Sequence, residues 1–118
     1  MTVQVLESSV ADPDEPSKAA DILIWVLQNS FFVWIGPHNG SPTLPHLVTS
    51  NTSRFDGGMP YASPLYGDGT SEVAEGISKR LAYKFKMFFY ICCTLPSAED
   101  PLTALAERKV VEMIKLNI

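Results

Sequence analysis

Residues 21–36 read DILIWVLQNSFFVWIG, and the fold turns on them. Two runs rich in branched and aromatic side chains, 21–28 and 31–36, flank Asn29 and Ser30. Runs of this kind around a short polar break predict a β-hairpin. Side chains alternate across a strand, so Ile22, Ile24 and Val26 share one face while Leu23, Trp25 and Leu27 share the other. Phe32 and Trp34 likewise oppose Phe31, Val33 and Ile35. Both faces are therefore apolar. An antiparallel sheet with one solvated face should instead alternate apolar with polar residues.

Further along the chain, residues 86–95 read KMFFYICCTL and predict another strand that is apolar on both sides. Residues 2–6 and 46–51 predict shorter strands. Helical periodicity appears at 70–85, where Val73, Ile77, Leu81 and Phe85 recur every four residues. Thr70 or Ser71 suits its N-cap, Glu72 and Glu75 its first turns, and lysines its end. Asp100-Pro101 predicts an N-cap and first-turn proline for a helix over 101–116, burying Leu102, Leu105, Ala106, Val110, Met113 and Ile114. Residues 8–20 hold acids and prolines and predict a surface loop. Residues 37–45 hold prolines and glycines and predict a second one. Residues 54–68, with Pro60 and Pro64, read as extended or looped.

Strands first, then helix, strand and helix indicate an α+β domain spanning residues 1–118. The expectation is a mostly antiparallel sheet of five or six strands with two helices on one face. Two helices cover roughly one face, so the other carries an apolar patch that a partner's sheet would cover. The orientation leaned toward is Phe32 and Trp34 on the helix side, with Val33 and Ile35 toward the partner.

Composition narrows the function. The chain has 118 residues, 46% of them hydrophobic and 19% charged, and a net charge of −4. That is enough chain to bury a core, and the acidic balance argues against a nucleic-acid binder. Lys79, Arg80, Lys84 and Lys86 read as the solvated end of a helix. No apolar run reaches the roughly eighteen residues of a membrane helix. The N-terminus has no basic, apolar leader, so a reducing compartment is expected: the cytoplasm, with the nucleus second.

Candidates for chemistry are few. His38 and His46 pair on paper with Cys92 or Cys93 as base and nucleophile, but the cysteines lie in an apolar strand where free thiols are usually buried. Two histidines and a vicinal cysteine pair lack zinc-ligand spacing, so no metal or cofactor is expected. Gly67-Asp68-Gly69-Thr70 precedes a helix, yet it lacks phosphate-loop spacing and Asp68 would repel an anion. Arg54 and Asp56 read as a structural ion pair or a partner contact. The residues named for partner binding are Val33, Ile35, Arg54 and Asp56, and no catalytic residue is named.

The segments Ser30-Phe31-Phe32-Val33-Trp34-Ile35-Gly36, Ser53-Arg54-Phe55-Asp56, Gly67-Asp68, Gly76-Ile77-Ser78-Lys79-Arg80-Leu81-Ala82 and Phe88-Phe89-Tyr90 resemble, in that order, the proteasome assembly chaperone 4 family. Ser63, Leu65, Glu107 and Arg108 are also similar. Loops 8–20 and 37–45 look like insertions. The resemblance implies a non-enzymatic chaperone that pairs with the third type of proteasome assembly chaperone and helps α-type subunits form the proteasome α-ring; a homodimer in isolation is left open. Two rivals stand beside it: a structural or adaptor subunit of another complex, and a small-molecule-binding or enzymatic α+β domain.

Overall fold

The predicted hairpin forms from β2 (Ala19–Leu27) and β3 (Ser30–Pro37), paired antiparallel with Leu27 opposite Ser30. Gln28 and Asn29 make the turn, and Asn29 adopts a left-handed φ of 61°, a conformation that asparagine tolerates well. The computed structural model describes residues 4–38, 43–51, 61–67, 72–95 and 99–117. The remaining strands are β1 (Gln4–Ala11), β4 (Leu47–Asn51), β5 (Tyr61–Tyr66) and β6 (Phe88–Cys93); the helices are α1 (Glu72–Phe85) and α2 (Pro101–Lys115). They build a six-stranded sheet in the order β1-β2-β3-β6-β4-β5. Every neighbouring pair is antiparallel except β3 and β6, which run parallel. The architecture is α+β, as expected from the element order.

Both helices lie on one face. Helix α1 packs over β4, β5 and β6, and α2 over β1 and β2. Beneath them Ile22, Ile24, Phe31, Val33, Ile35, Phe89 and Ile91 join Ile77, Leu81, Ala106, Val110 and Ile114 in one core, each at most 2% exposed. Phe31 stacks on Phe89 with ring centroids 5.4 Å apart, across the parallel β3–β6 pair. Asp100 caps α2: its carboxylate accepts from the Leu102 N–H at 2.9 Å, with Pro101 following as the first helical residue. Leu105 is half-buried rather than buried. Helix α1 carries Glu72 and Glu75 at its start and Lys84 at its end, and Thr70 and Ser71 lie outside the described residues.

Two expectations are corrected and one is made more specific. Residues 8–20 are not one loop. Ser8 to Ala11 belong to β1, paired with Ala19 to Ile22 of β2, and Ala20 is fully buried. The connection between Ala11 and Ala19 is an ordered turn: Asp12 N–H donates to Lys18 O at 2.9 Å, and Asp12 Oδ1 accepts from Asp14 N–H at 2.9 Å. Acids and prolines marked a turn correctly, but its alternating flanks are strand. Within residues 54–68, read as extended or looped, Tyr61–Tyr66 form β5, an edge strand that includes Pro64. The proline sits where the β4–β5 register shifts by a bulge next to Val48, a place where no ladder donor is needed.

The second correction concerns the faces. Val33 and Ile35, with Phe31, point into the core under the helices, and Phe32 and Trp34 point to the opposite face. The burial pattern along β2 and β3 alternates between buried and half-buried rather than between buried and fully exposed. That pattern is what two apolar faces give when only one of them is covered.

Candidate partner-binding face

The uncovered face is built by strand register. One row runs across the sheet through Val5, Trp25, Phe32 and Tyr90, and the next through Glu7, Leu23, Trp34 and Cys92. Ser9, Asp21 and Gly36 form the row beyond. Trp25 and Phe32 meet with ring centroids 5.5 Å apart. Trp25 remains 44% exposed and Phe88, on the same face of β6, 45%. Large aromatic area left this open is costly in water and marks a contact surface.

Trp34 is held flat. A Cβ placed on Gly36 would lie 2.5 Å from the indole ring, so only glycine leaves room for the ring to lie along the strand. The indole Nε1–H donates to Thr43 O at 2.8 Å, and the Tyr66 hydroxyl donates to Leu44 O at 3.0 Å. The short segment from Thr43 to His46 is thereby tied along the margin of the face. Together these elements enclose an open groove of about 630 Å³ whose floor includes Leu23, Trp25, Phe32 and Trp34 and whose rim includes Glu7 and Asp21. Sequence reading found the aromatic residues but not the strap or the role of Gly36. The available signal was its spacing, two residues after Trp34 and so on the same face.

Of the residues named for partner binding, Val33 and Ile35 are fully buried in the core, and Arg54 and Asp56 lie outside the described residues. The histidines and cysteines do not form a nucleophile–base pair. His46 is 7% exposed, and its Nε2 accepts the Cys93 backbone N–H at 3.2 Å. Its role is to satisfy a buried donor that strand pairing leaves open. His38 Nδ1–H donates to Asp21 Oδ1 at 2.7 Å on the surface. Both thiols are free and buried; burial pushes Cys92 up and Cys93 up to about 11, so Cys93 is a neutral thiol at physiological pH. No group of three or more metal-ligating side chains occurs among the described residues. Gly67 has a φ of +123°, and a Cβ there would lie 2.6 Å from His46 Cβ, so it serves as a tight turn against that histidine; Asp68, Gly69 and Thr70 lie outside the described residues. Arg80 of α1 and Glu107 of α2 form a two-pronged ion pair, with bonds of 2.8 and 2.6 Å, that ties the helices together.

Two expectations follow for these groups. Cys92→Ala with Cys93→Ala should cost about 1–3 kcal/mol through small cavities and leave partner binding intact once the protein is folded. In the native wild type, an aromatic disulfide reagent should react with the thiols only at the rate of unfolding. Prompt labelling, or loss of binding in a folded double variant, would contradict the inert role. His46→Ala should leave the Cys93 N–H unsatisfied and cost on the order of 1–3 kcal/mol, seen as a lower urea midpoint with an unchanged slope.

Three comparisons bear on this face. The family model for proteasome assembly chaperone 4 matches residues 21–95, the span from β2 through β6. A comparison with curated proteins finds no match. Among solved structures, a chain from the crystal structure of a chaperone complex for yeast 20S proteasome assembly is similar, with a TM-score of 0.69, 98% of each chain covered and 13% identity. At that identity the likeness shows the fold.

Proposed function

The chain belongs to the proteasome assembly chaperone 4 family, and from that premise we propose that it works by binding alone, pairing through its open sheet face with a related assembly chaperone of the third type. The pair then helps α-type subunits form the α-ring of the proteasome core particle. The observation that carries this reading is the uncovered aromatic face: Trp25, Phe32 and Trp34 are aligned on one side of the sheet, with both helices on the other. A second sheet laid on this face would bury it as the helices bury the first, which is how β-sandwiches close. The residue sets considered for nucleophilic or metal-binding chemistry are spent on structure, His46 on the Cys93 N–H, Cys93 in the core, and Cys92 buried on the other side of β6. The similar yeast chain comes from a complex rather than from an isolated protein, which accords with a paired working state. The proposed compartment is the cytoplasm, with the nucleus second, because both cysteines are free and buried.

The experiment is affinity purification from the native cell with mass spectrometry. Recovery of a second assembly chaperone together with proteasome α-type subunits is the expected result. Consistent recovery of an unrelated complex, without either, would overturn the proposal in favour of an adaptor role.

A further inference from the structure

The open face is not only apolar. Glu7 and Asp21 lie on it in adjacent rows, Glu7 opposite Leu23 and Asp21 opposite Ser9 and Gly36. Both carboxylates line the groove beside Trp34 and Trp25. The strands contribute no lysine or arginine to this face among the described residues. The described basic side chains lie on the helices, at Lys86 just after α1, and at Lys18 in the β1–β2 turn. Asp21 meets the half-exposed His38 on one oxygen. Among the described residues the formal charge that the strands bring to this face is thus of one sign, set at the margin of an aromatic floor.

Resting on the pairing reading above, we infer that the face is built to take a partner sheet carrying an arginine or lysine between Glu7 and Asp21, and to reject a second copy of this chain. The reason is symmetry. A face-to-face homodimer places the same patch on both sides. It would bring Glu7 and Asp21 of one copy to a surface that offers the other's carboxylates and no described base, and like charges facing across a contact cost several kcal/mol. An arginine meets both needs of the site. Its planar cation stacks on an indole, and its fork bonds carboxylates. The flat ring of Trp34 lies over Gly36, which is opposite Asp21, so the stacking surface and the carboxylate are neighbours.

Two arms separate this inference from the proposal it rests on. In the first, binding of the purified third-type chaperone is measured between low and high salt. Wild type should bind more weakly as salt rises. The neutral pair Glu7→Gln with Asp21→Asn should bind roughly tenfold more weakly at low salt and lose most of the salt dependence. Glu72→Gln with Glu112→Gln, on α1 and α2, equal in charge change but remote, should match wild type. Equal affinity and equal salt slope in the neutral pair would overturn the inference and leave the pairing intact. The second arm needs no partner. Wild type is mixed with the charge-reversed chain, Glu7→Lys with Asp21→Lys, whose fold is confirmed by circular dichroism. In sedimentation the mixture should form dimers at concentrations where each chain alone stays monomeric. A wild-type homodimer as stable as the mixed pair, disrupted by Trp25→Asp, would overturn the inference whatever the third-type chaperone does.

Discussion

Val33→Asp should unfold this protein, and Trp25→Asp should leave it folded but without its partner. Val33 is fully buried beneath the helices, between Phe31 and Ile35 on the same face of β3. The core cluster around it is apolar, so a carboxylate there meets no cation or side-chain donor among the described core residues. Burying such a charge costs several kcal/mol, a large share of the roughly 5–15 kcal/mol that holds a domain of this size. Trp25, on the neighbouring strand and the opposite face, is 44% exposed. An aspartate there stays in water in the isolated chain and meets a desolvated aromatic surface only when a partner's sheet lies on it. Circular dichroism should show native secondary structure for Trp25→Asp and its loss for Val33→Asp. Sedimentation with the third-type chaperone should show no complex for the folded variant. Unfolding of both would mean that the Trp25 side is also interior. A folded Trp25→Asp chain that still pairs would move the interface off this face.

The second large effect concerns residues 8–20. Deleting all of them should destroy the fold or lower its melting temperature by more than about 10 °C, because the segment carries half of β1 and the start of β2. Four register pairs vanish, from Ser8 with Ile22 to Ala11 with Ala19, along with the buried Ala20. At roughly 0.5–1.5 kcal/mol for each net hydrogen bond, the ladder alone contributes on the order of 3 kcal/mol, and about 4–8 °C of melting temperature accompanies each kcal/mol in a domain near this size. Replacing only residues 12–18 by Asn-Gly is the contrasting variant. It joins the paired Ala11 and Ala19 by a two-residue hairpin turn of favoured type. The bonds of Asp12 run to Asp14, Glu15 and Lys18 within the same turn, so among the described residues the replacement removes hydrogen bonds of the turn itself. Its melting temperature should stay within about 5 °C of wild type. Equal melting for the full deletion would show that β1 contributes little.

Much of the architecture was legible from local pattern. The 21–36 hairpin, the strand around Phe89, both helices and the Asp100-Pro101 cap depend on alternation, a period near 3.6 and capping chemistry, all of which act within a few residues. The conclusion that one sheet face would stay apolar and open also came from alternation, because two apolar faces meet only two helices. Residues 54–68 were legible only as extended or looped, because Pro60 and Pro64 exclude a helix interior without showing whether the chain pairs. A proline counts against a strand unless it sits at an edge or a bulge, and both facts depend on which strand lies next to it.

The direction of the faces was beyond any local rule. Alternation separates Phe31, Val33 and Ile35 from Phe32 and Trp34, but a strand turned over has the same pattern, and both sets are equally apolar. The choice is made where the chain crosses over: β6 comes back parallel to β3 with Phe89 beside Phe31, and α1 and α2 land on that side. The same long-range docking brings His46 to the Cys93 N–H and Arg80 to Glu107. The sequence by itself determined that this protein has two apolar sheet faces and helices for one of them. Only the tertiary structure decided which face is core and which is left, with Glu7 and Asp21 at its rim, for another protein, because that choice rests on contacts between residues far apart in the chain.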